Sequence, residues 1–242
     1  MLDPKELAES GALLVDKPTE WTSHDVVNFV RKRFRVEKVG HCGTLDPAAT
    51  GLLVLVLGKA TRLSEKFSGH DKVYAGTMRL GTETDSQDRD GKVIAEKGIA
   101  GLTEAQLREA AKAFVGDLQQ IPPMVSAVKV NGRPLYKLAR KGQVIERASR
   151  PVTIHAFDLS RVELPDADFE VRCTKGTYVR TLCSDLGDKL GCGAYLLALR
   201  RLRSGPFDIK DAVTLDTLKT WERPELLKNM IPILTLAGMM QA

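Results

Sequence analysis

Short unbroken apolar runs and amphipathic stretches interleave along this chain without a regular repeat. The runs Gly11 to Asp16 (GALLVD) and Leu52 to Leu57 (LLVLVL) predict buried strands. Lys72 to Leu80 (KVYAGTMRL) carries no strong helix signal, precedes a turn at Gly81, and reads as a further strand. Val152 to Leu164 and Phe169 to Thr174 read as strands too. In the second, Phe169, Val171 and Cys173 alternate with Glu170, Arg172 and Thr174, the period of a half-buried strand. Ser23 predicts the N-cap of a helix running to Phe34, with Val26, Val27, Val30 and Phe34 on one face. Asp25 in its first turn and the basic residues near its end complement the dipole. Thr103 and Gln106 form a capping box for a helix that buries Leu107, Ala110, Ala111 and Phe114 and stops at Gly116. Thr177 opens another, striped by Val179, Leu182, Cys183, Leu186 and Leu190 and ending at Gly191. Thr84 to Gly91 (TDSQDRDG) is a polar loop, Asn131-Gly132 a hairpin-turn signal, and Leu135 to Lys141 a short helix. Strands mixed with well-separated helices predict an α+β fold, with a mixed, mainly antiparallel sheet flanked by helices. The expected organisation is a domain over 1–210, a basic insertion at about 124–151, and a short helical tail over 211–242. Leu215, Leu218 and Trp221 share a face in that tail, which is too short for a second folded domain.

The 242 residues are 43% apolar and 28% charged, enough for a real core and incompatible with wholesale disorder. The longest apolar run is far too short to cross a bilayer. Met1 to Ser10 lacks the basic and apolar regions of a secretion signal, so a cytoplasmic protein is expected. Cys42, Cys173, Cys183 and Cys192 show no CxxC spacing and read as reduced packing residues, with no zinc expected. The net charge of +5 is unevenly spread. Lys129, Arg133, Lys137, Arg140, Lys141, Arg147 and Arg150 face the single acid Glu146. Further clusters are Arg31, Lys32, Arg33, Arg35 and Lys38, and then Arg200, Arg201 and Arg203. Three such clusters predict a polyanion partner.

Familiar catalytic signatures fail. Gly58-Lys59-Ala60-Thr61 lacks a glycine at phosphate-loop spacing, and Arg89 and Asp90 spoil a calcium loop. GxSxG, HExxH and a GxGxxG opening a helix are all missing from the sequence. What stands out is Gly40-His41-Cys42-Gly43-Thr44-Leu45-Asp46-Pro47-Ala48-Ala49-Thr50-Gly51. It places one carboxylate, expected to be buried, in a glycine-fenced loop before an apolar strand. No second carboxylate, Ser-His pair or ligand cluster stands beside it. An isolated Asp-Pro is most often a helix N-cap. Here Gly40, Gly43 and Gly51 permit tight turns and close backbone approach, while His41, Thr44 and Thr50 bring polar groups to the same loop.

This run closely resembles the catalytic motif of the TruB-type tRNA pseudouridine synthases. The resemblance extends in order through Asp16-Lys17-Pro18 with Thr22-Ser23, Lys72-Val73-Tyr74, Gly81 and Thr84-Asp85. It continues through Ile121-Pro122-Pro123-Met124-Val125-Ser126-Ala127 and Lys175-Gly176-Thr177-Tyr178-Val179-Arg180 to Leu199-Arg200-Arg201-Leu202. Thr19-Glu20 departs from the glycine usual after Pro18. The resemblance implies a pseudouridine synthase-like fold and isomerisation of uridine 55 in the T loop of tRNA. It implies no cofactor, no metal, no membrane and no obligate protein partner, and a monomer is expected. It makes Asp46 the essential carboxylate, Tyr74 the ring that stacks on the target base, and Arg180 the partner of the aspartate. Tyr178 and Leu199 would line the uridine pocket, His41 would fill the space left by the flipped nucleotide, and Lys17 would support the catalytic loop. The segment 124–151, with Lys129, Arg133, Arg140, Lys141 and Arg147, matches an RNA-gripping thumb. Rival readings are a guide-RNA-dependent relative of the dyskerin type and a non-catalytic tRNA-folding chaperone. A uracil-releasing glycosylase is the weakest, lacking a second acid.

Overall fold

The two apolar runs pair with each other. In the computed structural model, which describes residues 4–126, 128–130, 132–139 and 142–239, strand Gly11–Lys17 lies antiparallel to Thr50–Leu57, in register from Gly11 opposite Leu57 to Lys17 opposite Gly51. Every residue from Leu52 to Leu57 is fully buried. Ala12, Leu14, Leu52, Val54 and Val56 pack with Phe67, Phe207 and Leu236 in one cluster, while the intervening Leu13, Val15, Leu53 and Leu55 are buried as well. Burial on both faces is why these strands read as continuous runs rather than alternations. Short strand Val39–His41 pairs with the far end of Thr50–Leu57.

Compact units divide the chain, one of Met1–Tyr74 with Arg200–Ala242 and one of Ala75–Leu199. The chain passes from one to the other within strands Lys72–Leu80 and Ala194–Ser204. In the first unit the sheet is mixed. Val213–Thr214 runs parallel to Gly11–Lys17, Ile231–Pro232 antiparallel to it, and Arg200 and Arg201 run parallel to Thr50 and Gly51. The segment after 211 is helical in pieces and also supplies these two short strands to the sheet. Leu215, Leu218, Leu226 and Leu236 are all buried.

In the second unit, Arg150–Glu163 and Asp166–Cys173 form an antiparallel hairpin, and Gly116–Gln120 pairs with the start of the former. Phe157 and Phe169 meet edge to face with ring centroids 5.5 Å apart. Helices Glu104–Lys112 and Val179–Lys189 bury the expected stripes, from Leu107, Ala110 and Ala111 to Val179, Leu182, Cys183 and Leu186. Phe114 lies beyond the first of these helices and Leu190 caps the end of the second, and both are half-buried. Within 124–151, strands Lys129–Val130 and Arg133–Pro134 pair across a turn in which Gly132 has φ +76°, and helix Leu135–Ala139 follows. The α+β expectation holds.

Two local readings shift. The cap of helix Ser23–Arg33 is Thr22, in a reciprocal box with Asp25, one residue before the expected Ser23. Likewise Tyr178, not Thr177, precedes helix Val179–Lys189. Strand Ala194–Ser204 gave no sequence signal, because Arg200, Arg201 and Arg203 interrupt its apolar alternation.

Candidate active site

Asp46 heads a tight turn in which the Ala49 N–H donates to the Asp46 carbonyl at 3.1 Å. Asp46 is half-buried, where the sequence reading expected a buried carboxylate. Side chains of the first unit grip this loop. The Leu45 N–H donates to Ser23 Oγ at 2.8 Å, and that hydroxyl donates back to the Leu45 carbonyl at 3.1 Å. Lys17, wholly buried, donates from Nζ to the carbonyls of Trp21 at 2.7 Å, Pro18 at 2.8 Å and Pro47 at 3.2 Å. Three ammonium protons thus meet three carbonyls. Burial pulls the Lys17 pKa down to about 8, and the charge of Asp46 is the leading influence that opposes the shift. Glu20 takes the left-handed φ of +67°, and its N–H donates to the Pro47 carbonyl at 2.9 Å. A non-glycine residue thus takes a left-handed conformation at this turn.

Arg201 supplies the deepest grip. It is 1% exposed, and its guanidinium donates from Nε to Leu52 O at 2.7 Å, from Nη2 to Gly43 O at 3.1 Å and from Nη1 to Thr44 O at 3.4 Å. Gly51, at φ +98°, lets this strand approach, since a Cβ there would lie 2.7 Å from the Arg201 nitrogen. His41 ends its short strand half-buried, with Nδ1 buried and lacking a hydrogen bond. Burial, then Arg201 and His24, lowers its pKa and favours the neutral ring. His24, Arg31, Lys38 and Thr61 line an open groove of about 530 Å³ with it. Tyr74 is 9% exposed, on strand Lys72–Leu80.

In the second unit Arg180 lies in the first turn of helix Val179–Lys189, 3% exposed. Nη1 pairs with Asp88 Oδ2 at 3.0 Å, Nη2 donates to the Val125 carbonyl at 2.7 Å, and the guanidinium carbon is 5.8 Å from the Tyr178 ring centroid. Gln120 brackets the start of this helix. Its Nε2 donates to Tyr178 O at 3.0 Å, and the Tyr178 N–H donates to its Oε1 at 2.7 Å. Thr181 Oγ1 donates to Gln87 Oε1 at 2.7 Å. The polar loop is therefore docked on the helix rather than solvated. Leu199 is half-buried on strand Ala194–Ser204. In the insertion, Lys129 lies on one hairpin strand, Arg133 is exposed on the other, and Arg147 is half-buried. Arg140 and Lys141 lie outside the described residues.

The sequence-predicted residues thus divide between the units, Lys17, His41, Asp46 and Tyr74 in one, Tyr178, Arg180, Leu199 and the insertion in the other. Sequence reasoning missed Asp88 and Gln120, which lie in segments without periodicity. It read Ser23 as a cap and Arg201 as surface charge. The third basic cluster is corrected accordingly. Arg200 forms a bidentate pair with Asp16 at 3.0 and 2.7 Å, Arg201 is buried, and Arg203 faces Asp208 at 3.6 Å. Among the described residues no group of three His, Cys, Asp or Glu side chains is arranged to hold a metal ion, and no helix is long and apolar enough to cross a membrane.

Residues 31–179 match the family profile "TruB family pseudouridylate synthase (N terminal domain)", and residues 180–233 match "tRNA pseudouridylate synthase B C-terminal domain". The chain is 51% identical over 233 residues to a tRNA pseudouridine synthase B of Opitutus terrae, covering 96% of each. It is 49% identical to that of Syntrophotalea carbinolica, covering 91% of this chain and 73% of the relative. Among solved structures it resembles a chain of a Cbf5-Nop10-Gar1 complex, with TM-score 0.73 and 29% identity over 96% of this chain, and it spans 62% of that chain. On these matches the chain belongs to the TruB family of pseudouridylate synthases.

Proposed function

We propose that this protein converts uridine 55 in the T loop of tRNA to pseudouridine, with Asp46 as the essential carboxylate and no cofactor. The reaction breaks the N1–C1′ bond, turns the uracil and joins C5 to C1′. C5 gives up a proton and N1 gains one, so the composition is unchanged. A glycosidase flanks its bond with two carboxylates because it must protonate a leaving group and activate water. An isomerase that keeps its base bound needs a single anion at the sugar. The observation that carries this reading is the Asp46 loop, clamped by Lys17, Ser23 and Arg201 within the family's motif.

The target base must be extruded from a folded loop at a cost of a few kcal/mol. Stacking on Tyr74 returns about 1–3 kcal/mol, with His41 filling the vacated space and Tyr178 and Leu199 lining the uridine pocket. Arg180 supplies the positive charge that keeps the carboxylate ionised, and Lys17 supports the loop. Residues 1–210 carry the catalysis, with 124–151 as the RNA grip, and 211–242 are a short C-terminal tail. The enzyme acts in the cytoplasm as a monomer without a protein partner or guide RNA. In support, identity is 51% to a protein named tRNA pseudouridine synthase B against 29% to the Cbf5-complex chain.

The test is incubation of the purified chain with an unmodified T-arm stem-loop, without guide RNA, followed by mapping of pseudouridine. Conversion at the single target uridine is expected, and Asp46→Asn should bind the RNA yet form no product. Appreciable turnover by that variant, or conversion only with added guide, would overturn the reading.

A further inference from the structure

We infer that Arg201 is a positioning residue for the reaction, setting the Asp46 loop in its working geometry from the neighbouring strand. The inference rests on the functional reading above and extends it to a residue that touches no substrate. An arginine buried to 1% exposure with its fork spent on backbone carbonyls is costly to desolvate, so its place needs a reason. Its contacts supply one. Nη1 and Nη2 hold Thr44 O and Gly43 O, in the two residues that precede Leu45-Asp46, while Nε holds Leu52 O on the strand after the loop. One rigid planar group therefore ties both ends of the segment that carries the carboxylate. Gly43 has φ +102°, so the backbone there has unusual freedom and gains most from an external tie. A lysine could keep the charge but has no planar fork to reach all three carbonyls.

The experiment compares wild type, Arg201→Lys and Arg201→Met as full-length chains on the T-arm stem-loop. It measures single-turnover rate at saturating RNA, RNA dissociation constant, and fraction folded by circular dichroism. If Arg201 positions the loop, the saturated rate falls about 100-fold in Arg201→Met, the cost expected for a displacement near 1 Å. RNA affinity then stays within about threefold and the protein stays folded, because the tie acts on the chemical step rather than on phosphate contacts. Arg201→Lys retains the charge and still turns over at least about 10-fold slower than wild type. The inference is overturned if either folded variant matches wild type, or if rate loss tracks loss of folded protein in both. If wild type itself makes no pseudouridine, it is the functional reading that fails.

Discussion

At the residue scale, the ion pair of Arg180 and Asp88 shows how a buried charge is held. The side chains are 4% and 15% exposed and meet at 3.0 Å. Removing one charge from such a pair strands the other in a low dielectric, whereas an exposed pair would contribute little. Asp88→Asn keeps the size and one hydrogen-bond acceptor but loses the charge. We expect it to cost about 2–3 kcal/mol of stability in urea titrations. Turnover on the T-arm stem-loop should fall more than this loss of folded protein accounts for, because Arg180 is no longer held. Equal turnover per folded molecule would count against Asp88 acting through Arg180. The residue-level chemistry was legible unevenly. Asp46, Lys17 and Arg180 stand in short runs whose order resembles a family, so they could be picked out. Asp88 sits in a stretch of alternating acids and hydroxyls that looks solvated, and only the fold turns it onto the first turn of a helix. Arg201 failed for the opposite reason, since a basic residue beside Arg200 and Arg203 looks like surface.

At the scale of elements, apolar runs and periodic stripes announced themselves, while caps and charged strands did not. Thr22 and Ser23 are both good N-cap residues, and composition does not choose between them. The structure does, because the Ser23 hydroxyl is occupied at Leu45. Helix Val179–Lys189 shows what the stripe conceals. Asp185 follows Cys183 on the edge of the apolar face, and burial, then repulsion from Asp188, raises its pKa to about 6. Below about pH 4 this carboxyl is protonated in the folded and unfolded chains alike and costs nothing. Between about 4 and 6 the folded chain holds a proton that the unfolded chain releases, so stability falls as pH rises through this window. Above 6 the penalty is complete. Asp185→Asn should therefore stabilise the protein at pH 7 by about 1 kcal/mol after allowance for solvent screening, or roughly 2–4 °C in melting temperature. The gain should vanish by about pH 4 in melts across the range. A gain independent of pH would mean that the carboxylate charge is not its source.

At the scale of the whole molecule, the net charge of +5 is a sum over residues with different occupations. The second cluster, from Arg31 to Lys38, is partly spent inside the protein, since Arg33 Nη2 donates to the Trp221 carbonyl at 2.7 Å and pairs with Glu222 at 2.8 Å. The C-terminal segment that accepts these contacts was legible only as a helical tail, because strands of two residues are too short to leave a pattern. The third cluster is spent on Asp16, Asp208 and the Asp46 loop. The insertion differs in having a single acid among its basic residues, with Arg133 exposed on a hairpin strand. Phosphate contacts release counterions, so each one lost should reduce the magnitude of the slope of log affinity against log salt by about 1. Arg133→Gln combined with Arg147→Gln should weaken T-arm binding and flatten that slope by about 2. Arg203→Gln removes one charge, as Arg133→Gln alone does, from a side chain already facing Asp208 and should leave the slope unchanged. Filter binding between 50 and 200 mM salt, the range over which such contacts act strongly, separates the two. A slope that responded to total charge alone, alike for Arg133→Gln and Arg203→Gln, would show that the RNA senses a diffuse field rather than a grip.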